Sequence, residues 1–530
     1  MSASADALIR TAEERIARAL GPSGRRNAGV YYTPPEVAAR VVEIALAHGS
    51  VRRGRVLDPC AGAGSFLVAA ARAGFSRVCG IDLDPRALRV ARKALRLCGV
   101  SRPSLRRADS LRFTPAPADL LVSNPPYGHV EDPRERSFLA RALPALRGGE
   151  IDRYAAFLLR SLQLVRPGGT VALLVPDTWM FLARAGALRE AVMAQAEVAA
   201  LVDLGKVFAS AKDTRVQAVV LVRRLRGEVN AVHMPDGEVN AVHIPDGEVN
   251  AVHPVHVARG REVLAPASRE ELLRSAQRGW FVYRTRGERA LCEAMEAASV
   301  PLHTVCDVGY GMRTGDNARH VARRAPRPGE VGLLGGEDVT PFALRWRPKT
   351  LLDGAPLQAL VDRQRGRGRV CVQRIRTNSA APWARWLEAA PVPPELDCLD
   401  SLSTQACEDE DRLWALLALV SSVAMNRYHR LRTTDVNVKP SALRQLPAPR
   451  DLLRAPQTLA GLARRRAISA QIDLDRRIDA AIYALYGLRP ELVEACERGF
   501  WGNRFGEEFQ KLEQAMSDPP GIVARKEKNA

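Results

Sequence analysis

Between residues 28 and 222 short apolar runs alternate with helix-patterned stretches, and few folds accept that order. The runs are Val56-Leu57, Val78 to Ile81, Leu120 to Val122, Val171 to Val175, Val198 to Val202 and Val216 to Val222. Pro85 to Leu97 and Tyr154 to Val165 carry the periodicity of helices buried on one face, the second ended by Pro167-Gly168-Gly169. Strand–helix–strand repetition supplies the long crossovers that parallel strands need. The expected fold is therefore α/β, a doubly wound, mostly parallel sheet with its ligand crevice at the carboxyl ends of the strands.

The chain has 530 residues and a formal net charge of +19. That length allows about three or four domains of roughly 100–200 residues each. Residues 1–220 hold 32 basic and 20 acidic side chains, 223–309 hold 11 and 12, and 310–450 hold 22 and 15. Two basic blocks thus flank a neutral one, a distribution that favours a polyanionic partner such as nucleic acid. The densest basic run is Arg363, Arg365, Arg367, Arg369, Arg374 and Arg376, read either as a solvated loop or as phosphate contacts. Nine cysteines without a CxxC pair argue for reduced thiols and a cytoplasmic setting. No run of 18 apolar residues predicts a membrane span, and the first 20 residues lack the pattern of a signal peptide.

The neutral block contains a tandem repeat, GEVNAVHMPD (227–236), GEVNAVHIPD (237–246) and GEVNAVH (247–253). Its alternation and Pro-Asp-Gly turns suit a small β-meander, expected to be a passive insert. His233, His243 and His253 recur in step, but no carboxylate or cysteine set accompanies them, and no metal site is expected. Further on, 410–431 and 471–486 are expected as helices.

Two motifs carry chemistry. Val56-Leu57-Asp58-Pro59-Cys60-Ala61-Gly62-Ala63-Gly64-Ser65 reads as a strand, a glycine turn and a helix start, where backbone can approach a ligand closely. A second strand ends at Asp82, 24 residues after Asp58, where a carboxylate can accept hydrogen bonds from ribose hydroxyls. Asp109, after a third strand, could meet the adenine amino group of the same nucleoside. The second motif is Leu120-Leu121-Val122-Ser123-Asn124-Pro125-Pro126-Tyr127-Gly128. An Asn amide oxygen and a Pro carbonyl can both accept hydrogens from one exocyclic amino group, whose conjugated lone pair is otherwise a poor nucleophile. The Tyr127 ring would stack on a planar base.

With these residues the chain resembles the gamma-class, TaqI-like N6-adenine DNA methyltransferases of restriction-modification systems. DPCAGAGSFL resembles their S-adenosylmethionine motif, with Cys60-Ala61 where Ala-Cys is usual, and GIDLDP is similar to their GxExDP, with Asp82 for Glu. Val30-Tyr31-Tyr32-Thr33-Pro34-Pro35 resembles the motif that packs against the cofactor's methionine end, and also reads as a helix start with Thr33 as N-cap. Leu204-Gly205-Lys206-Val207-Phe208 resembles the segment whose aromatic stacks on the flipped adenine's other face, although Phe208 could instead be core. Gly311 to Asn317, Val438 to Pro447, and Ile478 through Leu488 resemble the start and end of a target-recognition region.

The resemblance implies a Rossmann-like class I methyltransferase domain with a C-terminal α+β target-recognition domain. The expected boundaries are 1–225 (methyltransferase), 226–258 (repeat insert), 259–450 (linker and target recognition) and 451–530 (C-terminal helical segment). Asn124, Pro125, Pro126, Tyr127 and Phe208 would be catalytic; Tyr32, Thr33, Asp58, Ala61, Gly62, Gly64, Asp82 and Asp109 would bind S-adenosylmethionine, without a metal. The implied partner is double-stranded DNA and the implied state a monomer. Only 30 residues precede the Tyr-Tyr-Thr-Pro motif, so any cutting is assigned to a separate restriction endonuclease. Alternatives are a methyltransferase for a protein glutamine amide or an rRNA base, and a non-catalytic DNA-specificity subunit. The long basic C-terminal half disfavours the former, and the intact motifs disfavour the latter.

Overall fold

The computed structural model describes residues 2–28, 33–49, 51, 54–205, 207–208, 215–225, 256–259, 262–263, 268–276, 279–280, 285–352, 368–374, 387–433, 437–469 and 471–517. Tyr32, the 227–253 repeat with its three histidines, and Arg363, Arg365, Arg367 and Arg376 lie outside these residues. The chain forms two compact units, Met1–Arg284 and Thr285–Ala530.

The first unit is built on nine strands: β1 (Arg55–Asp58), β2 (Arg77–Asp82), β3 (Ser104–Arg107), β4 (Ala118–Ser123), β5 (Val165–Pro176), β6 (Ala196–Gly205), β7 (Val216–Arg223), β8 (His256–Arg259) and β9 (Glu262–Val263). Their order is β3-β2-β1-β4-β5-β7-β6-β8-β9. From β3 to β5 every pair is parallel, and β7 runs antiparallel between β5 and β6. All six predicted runs are strands. Val56, Leu57, Leu120, Leu121, Val122, Val171, Leu173 and Val175 are buried because helices cover both faces of a parallel sheet.

Chain order turns outward in one direction from β1 through β2 to β3, and in the other from β4 to β5. The crevice at that reversal lies between the carboxyl ends of β1 and β4, where Val56 pairs with Leu120 and Leu57 with Leu121. Helix α1 (Ser2–Ala28) precedes the sheet, followed by α2 (Pro35–His48), α3 (Ser65–Arg72) and α4 (Pro85–Leu97). The last has the predicted bounds, because Asp84 caps its first turn by accepting from the Arg86 N–H and Pro85 opens it.

The first unit extends beyond residue 225. β8 adds to the sheet in parallel with β6, Ala200 opposite His256. Beyond it, the Trp280 ring packs edge-on against Trp179, 5.0 Å between centroids. The buried Arg189 guanidinium donates to the Trp179, Leu182 and Ala276 carbonyls, fastening this segment down. β7 ends at the amino-end edge of the sheet, since Arg223 lies opposite Ala196, the first residue of β6. The crevice is at the other end.

The second unit is α+β. One antiparallel sheet orders 307–310, 402–407, 368–373 and 389–392; a second, mixed sheet orders 321–322, 350–351, 332–334 and 396–398. The helix expected over 410–431 is two, Glu410–Ser421 and Val423–Arg432. Ser422 breaks it by accepting from the Met425 N–H, while buried Asp479 accepts from the Val423 N–H. The residues from 451 to 517 pack within this unit, and the Ile472–Tyr486 helix ends at Gly487 in a left-handed conformation. Arg369, expected among surface or phosphate-facing arginines, is instead buried and paired with Asp397 at 2.7 Å. It sits in strand 368–373, whose Arg369 faces the core.

Candidate active site

The β1 turn is shaped by its glycines and carboxylates. Gly62 and Gly64 have φ of 52° and 100°, conformations that favour glycine. A Cβ on Gly64 would lie 3.0 Å from the Ala91 Cβ, so α4 packs directly on this turn. Asp82, at the end of β2, accepts from the Gly62 N–H (2.7 Å) and the Asp84 N–H (2.8 Å). Asp58 accepts from the Ser123 hydroxyl (2.6 Å) and the Cys60 N–H (2.9 Å), which ties the ends of β1 and β4 together. The Ser110 hydroxyl donates to the Pro59 carbonyl at 2.6 Å and draws the Asp109 turn against the glycine turn.

These carboxylates gather around the Cys60 thiol. Burial lifts the Asp58 carboxyl to about 7, and burial also raises Asp82. The Cys60 thiol is pushed well up, first by burial and then by the charges of Asp58, Asp82 and Asp109. Asp109 itself is half-exposed; it accepts from the Leu111 N–H and pairs with Arg112 at 3.2 Å. A positively charged nucleoside fits this set of acceptors, since a cation relieves the crowding of carboxylates and a hydroxyl can use their remaining lone pairs.

β4 delivers Asn124 to the same end of the sheet. Its Nδ2 donates to Thr33 Oγ1 at 3.0 Å, and its Oδ1 accepts from the Tyr127 hydroxyl at 2.7 Å. That hydroxyl also lies 3.2 Å from the Leu174 carbonyl on β5. Thr33 does not cap α2: Pro34 occupies the N-cap position with no side-chain cap, and the Thr33 hydroxyl is turned to Asn124 instead.

Tyr127 and Phe208 come together, but not as two walls of a slot. Their ring planes meet at 63° with centroids 6.2 Å apart, and the two residues are only 7% and 5% exposed. A base sandwiched between parallel rings needs about 7 Å, twice the ~3.5 Å contact distance. Tyr154 also packs edge-on against Tyr127, at 6.4 Å between centroids. Tyr154 and Ser123 are not singled out by the sequence. The first sits in an ordinary helical pattern; the polar Ser123 ending an apolar strand is the available signal for the second.

The profile of the N-6 DNA methylase family matches residues 6–264. The chain is 30% identical over 329 residues to a type II methyltransferase of Thermus thermophilus, covering 60% of this chain and 67% of that one. The chain belongs to the N-6 DNA methylase family. It is also 29% identical over 218 residues to the type II methyltransferase M.VspI of Vibrio sp. (strain 343), 40% of this chain and 52% of that one, so it spans about half the length of that relative. The solved structure of the type IIL restriction-modification enzyme MmeI in complex with DNA shares the fold, with a TM-score of 0.51 at 11% identity, over 91% of this chain and 76% of that one. The N-6 DNA methylase match coincides with the first unit, sheet and crevice included.

Proposed function

We propose that the protein transfers a methyl group from S-adenosylmethionine to N6 of an adenine flipped out of double-stranded DNA, at a specific sequence, within a restriction-modification or phage-defence system. The observation that carries this reading is the fixed Asn124 amide at the end of β4, joined through Ser123 and Asp58 to the glycine turn of β1. That link supports reading the acceptor and the nucleoside crevice as one site.

S-adenosylmethionine, when bound, supplies a methyl group on a cationic sulfur that keeps the electron pair of the broken bond. Asp82 and Asp109 would hold the nucleoside part, and Thr33 and the Asp58 turn would flank the amino-acid part. Asn124 Oδ1 and the Pro125 carbonyl accept the two hydrogens of the adenine amino group, turning its lone pair from the ring toward the methyl carbon. The amino proton leaves after attack, so no dedicated base is needed. Stacking on Tyr127 requires Phe208 to swing away from the ring it now covers, exchanging one aromatic contact for another. Pro126 fixes the backbone between Asn124 and Tyr127.

The second unit would read base edges and grip phosphates. A monomer in the cytoplasm, with any cutting left to a separate restriction endonuclease, fits the same reading. Among the described residues no helix is long and apolar enough to cross a membrane. The test offers methyl-labelled cofactor with duplex DNA, a glutamine-bearing peptide and an rRNA fragment. Nucleoside mass spectrometry should find N6-methyladenine in the DNA alone; label in the peptide or the rRNA instead would refute the assignment.

A further inference from the structure

We infer that Arg160 is a positioning residue for the cofactor's base: it pins the turn that opens at Asp109, and so places the carboxylate that would accept from the adenine amino group. This rests on the S-adenosylmethionine reading above. The turn needs such a support. It leaves β3, which ends the described sheet beside β2. It then closes after a single helical turn, the Arg112 and Phe113 N–H groups donating to the Asp109 carbonyl at 3.1 and 2.7 Å. A turn that stops there has no further helix to pair its own carbonyls.

Arg160 meets those carbonyls from the Arg153–Leu164 helix. Its Nε donates to the Ser110 carbonyl at 3.3 Å, and its Nη2 to the Phe113 carbonyl at 3.2 Å and to Thr114 Oγ1 at 2.7 Å. Its Nη1 donates to Gln163 Oε1 at 2.8 Å, one turn along the same helix, which fixes the plane of the guanidinium. A guanidinium only donates and a carbonyl only accepts, so the sense of the backbone contacts is set by chemistry. A lysine would bring one nitrogen where Arg160 brings three. The other ties of the turn run to the nucleoside crevice. The Ala108 N–H donates to the Asp82 carbonyl at 3.2 Å, and the Ser110 hydroxyl to the Pro59 carbonyl at 2.6 Å. Arg160 adds a support from the helix whose Tyr154 packs against Tyr127. Asp109 retains capacity for a substrate hydrogen: Oδ1 accepts from the Leu111 N–H at 3.0 Å and Oδ2 faces Arg112 at 3.2 Å, and each oxygen has two lone pairs. Burial lowers the Arg160 pKa and the Asp109 charge raises it, so charge as well as geometry couples the two.

The test is calorimetry of the full chain with two ligands. One is S-adenosylhomocysteine, the cofactor without its methyl group. The other is S-inosylhomocysteine, which carries a carbonyl where adenine has its amino group. Wild type should prefer the adenosyl ligand by about tenfold or more, since the inosine oxygen meets the Asp109 carboxylate as a second acceptor. Arg160→Met should weaken the adenosyl ligand about ten- to hundredfold, the scale of one hydrogen bond to a charged group, and the inosyl ligand less than about threefold. The preference between the two bases therefore collapses, which a general loosening of the domain would not produce. Arg160→Lys, which keeps the charge and the stem, should fall between, and it carries the same comparison if the methionine variant does not fold. Asp109→Ala/Arg160→Met should bind the adenosyl ligand no more weakly than Asp109→Ala, because the carboxylate to be placed is already gone. A base preference unchanged in Arg160→Met, or a double-variant loss equal to the product of the single losses, would overturn the positioning role while leaving the cofactor reading intact. Wild-type protein that binds neither ligand would overturn that reading itself.

Discussion

The glycine turn offers a sharp physical test in Gly64→Ala. At φ of 100° an L-residue is strained, at a cost of about 1–3 kcal/mol. The new Cβ would also stand 3.0 Å from the Ala91 Cβ and 3.1 Å from its Cα, a contact that backbone cannot easily yield. Overpacking of this kind adds about 1–3 kcal/mol. The sum, roughly 2–6 kcal/mol, is a large part of the ~5–15 kcal/mol that holds a domain folded. Gly99→Ala separates the two causes, because Gly99 has φ of 86° and nothing within 4 Å of its Cβ position. Urea unfolding followed by circular dichroism should place Gly64→Ala below Gly99→Ala by about 1–3 kcal/mol. Equal losses in the two variants would refute the claim that α4 packs tightly on the turn.

Asp58 makes stability depend on pH. Its folded carboxyl keeps a proton up to about 7, above the ordinary 3.8, so stability falls as pH rises through that window, by on the order of 4 kcal/mol in all. Asp58→Asn should flatten that fall in urea midpoints between pH 4 and pH 7; parallel curves would refute it. Arg369→Met should cost about 3–5 kcal/mol by leaving buried Asp397 without its cation, and Arg369→Met/Asp397→Leu should recover most of it in the same assay. Deleting 227–246 should leave methylation nearly intact, because β7 ends at the edge of the sheet opposite the crevice; a large drop in label transfer would contradict that.

What could be read from the sequence was local. Strands such as Leu120–Val122 were visible because both of their faces are buried, which leaves an unbroken apolar run. β3 was weak because its Ser104, Arg106 and Arg107 are exposed at the edge of the sheet. The glycine turn and Asn124-Pro125-Pro126-Tyr127 were legible because their backbone demands restrict residue type. Long-range contacts left no such mark. Thr33 looked like a helix cap, and its Asn124 contact spans 91 residues. Arg369 looked like part of a surface run until its strand turned it inward on Asp397. Ser422 lies in a smooth helical pattern, and the Asp479 carboxylate that helps to break it is 56 residues beyond the Val423 N–H it caps.

The central claim is that Asn124, at the carboxyl end of β4, presents an acceptor to an adenine amino group in DNA. Expression in a bacterium free of DNA methylation, followed by sequencing that detects N6-methyladenine, tests it directly. Wild-type protein should mark one short sequence motif throughout the genome, and Asn124→Ala, folded and still cofactor-binding, should leave it unmarked. Unmodified adenines from folded, cofactor-bound wild-type protein, or an undiminished mark in Asn124→Ala, would contradict the claim.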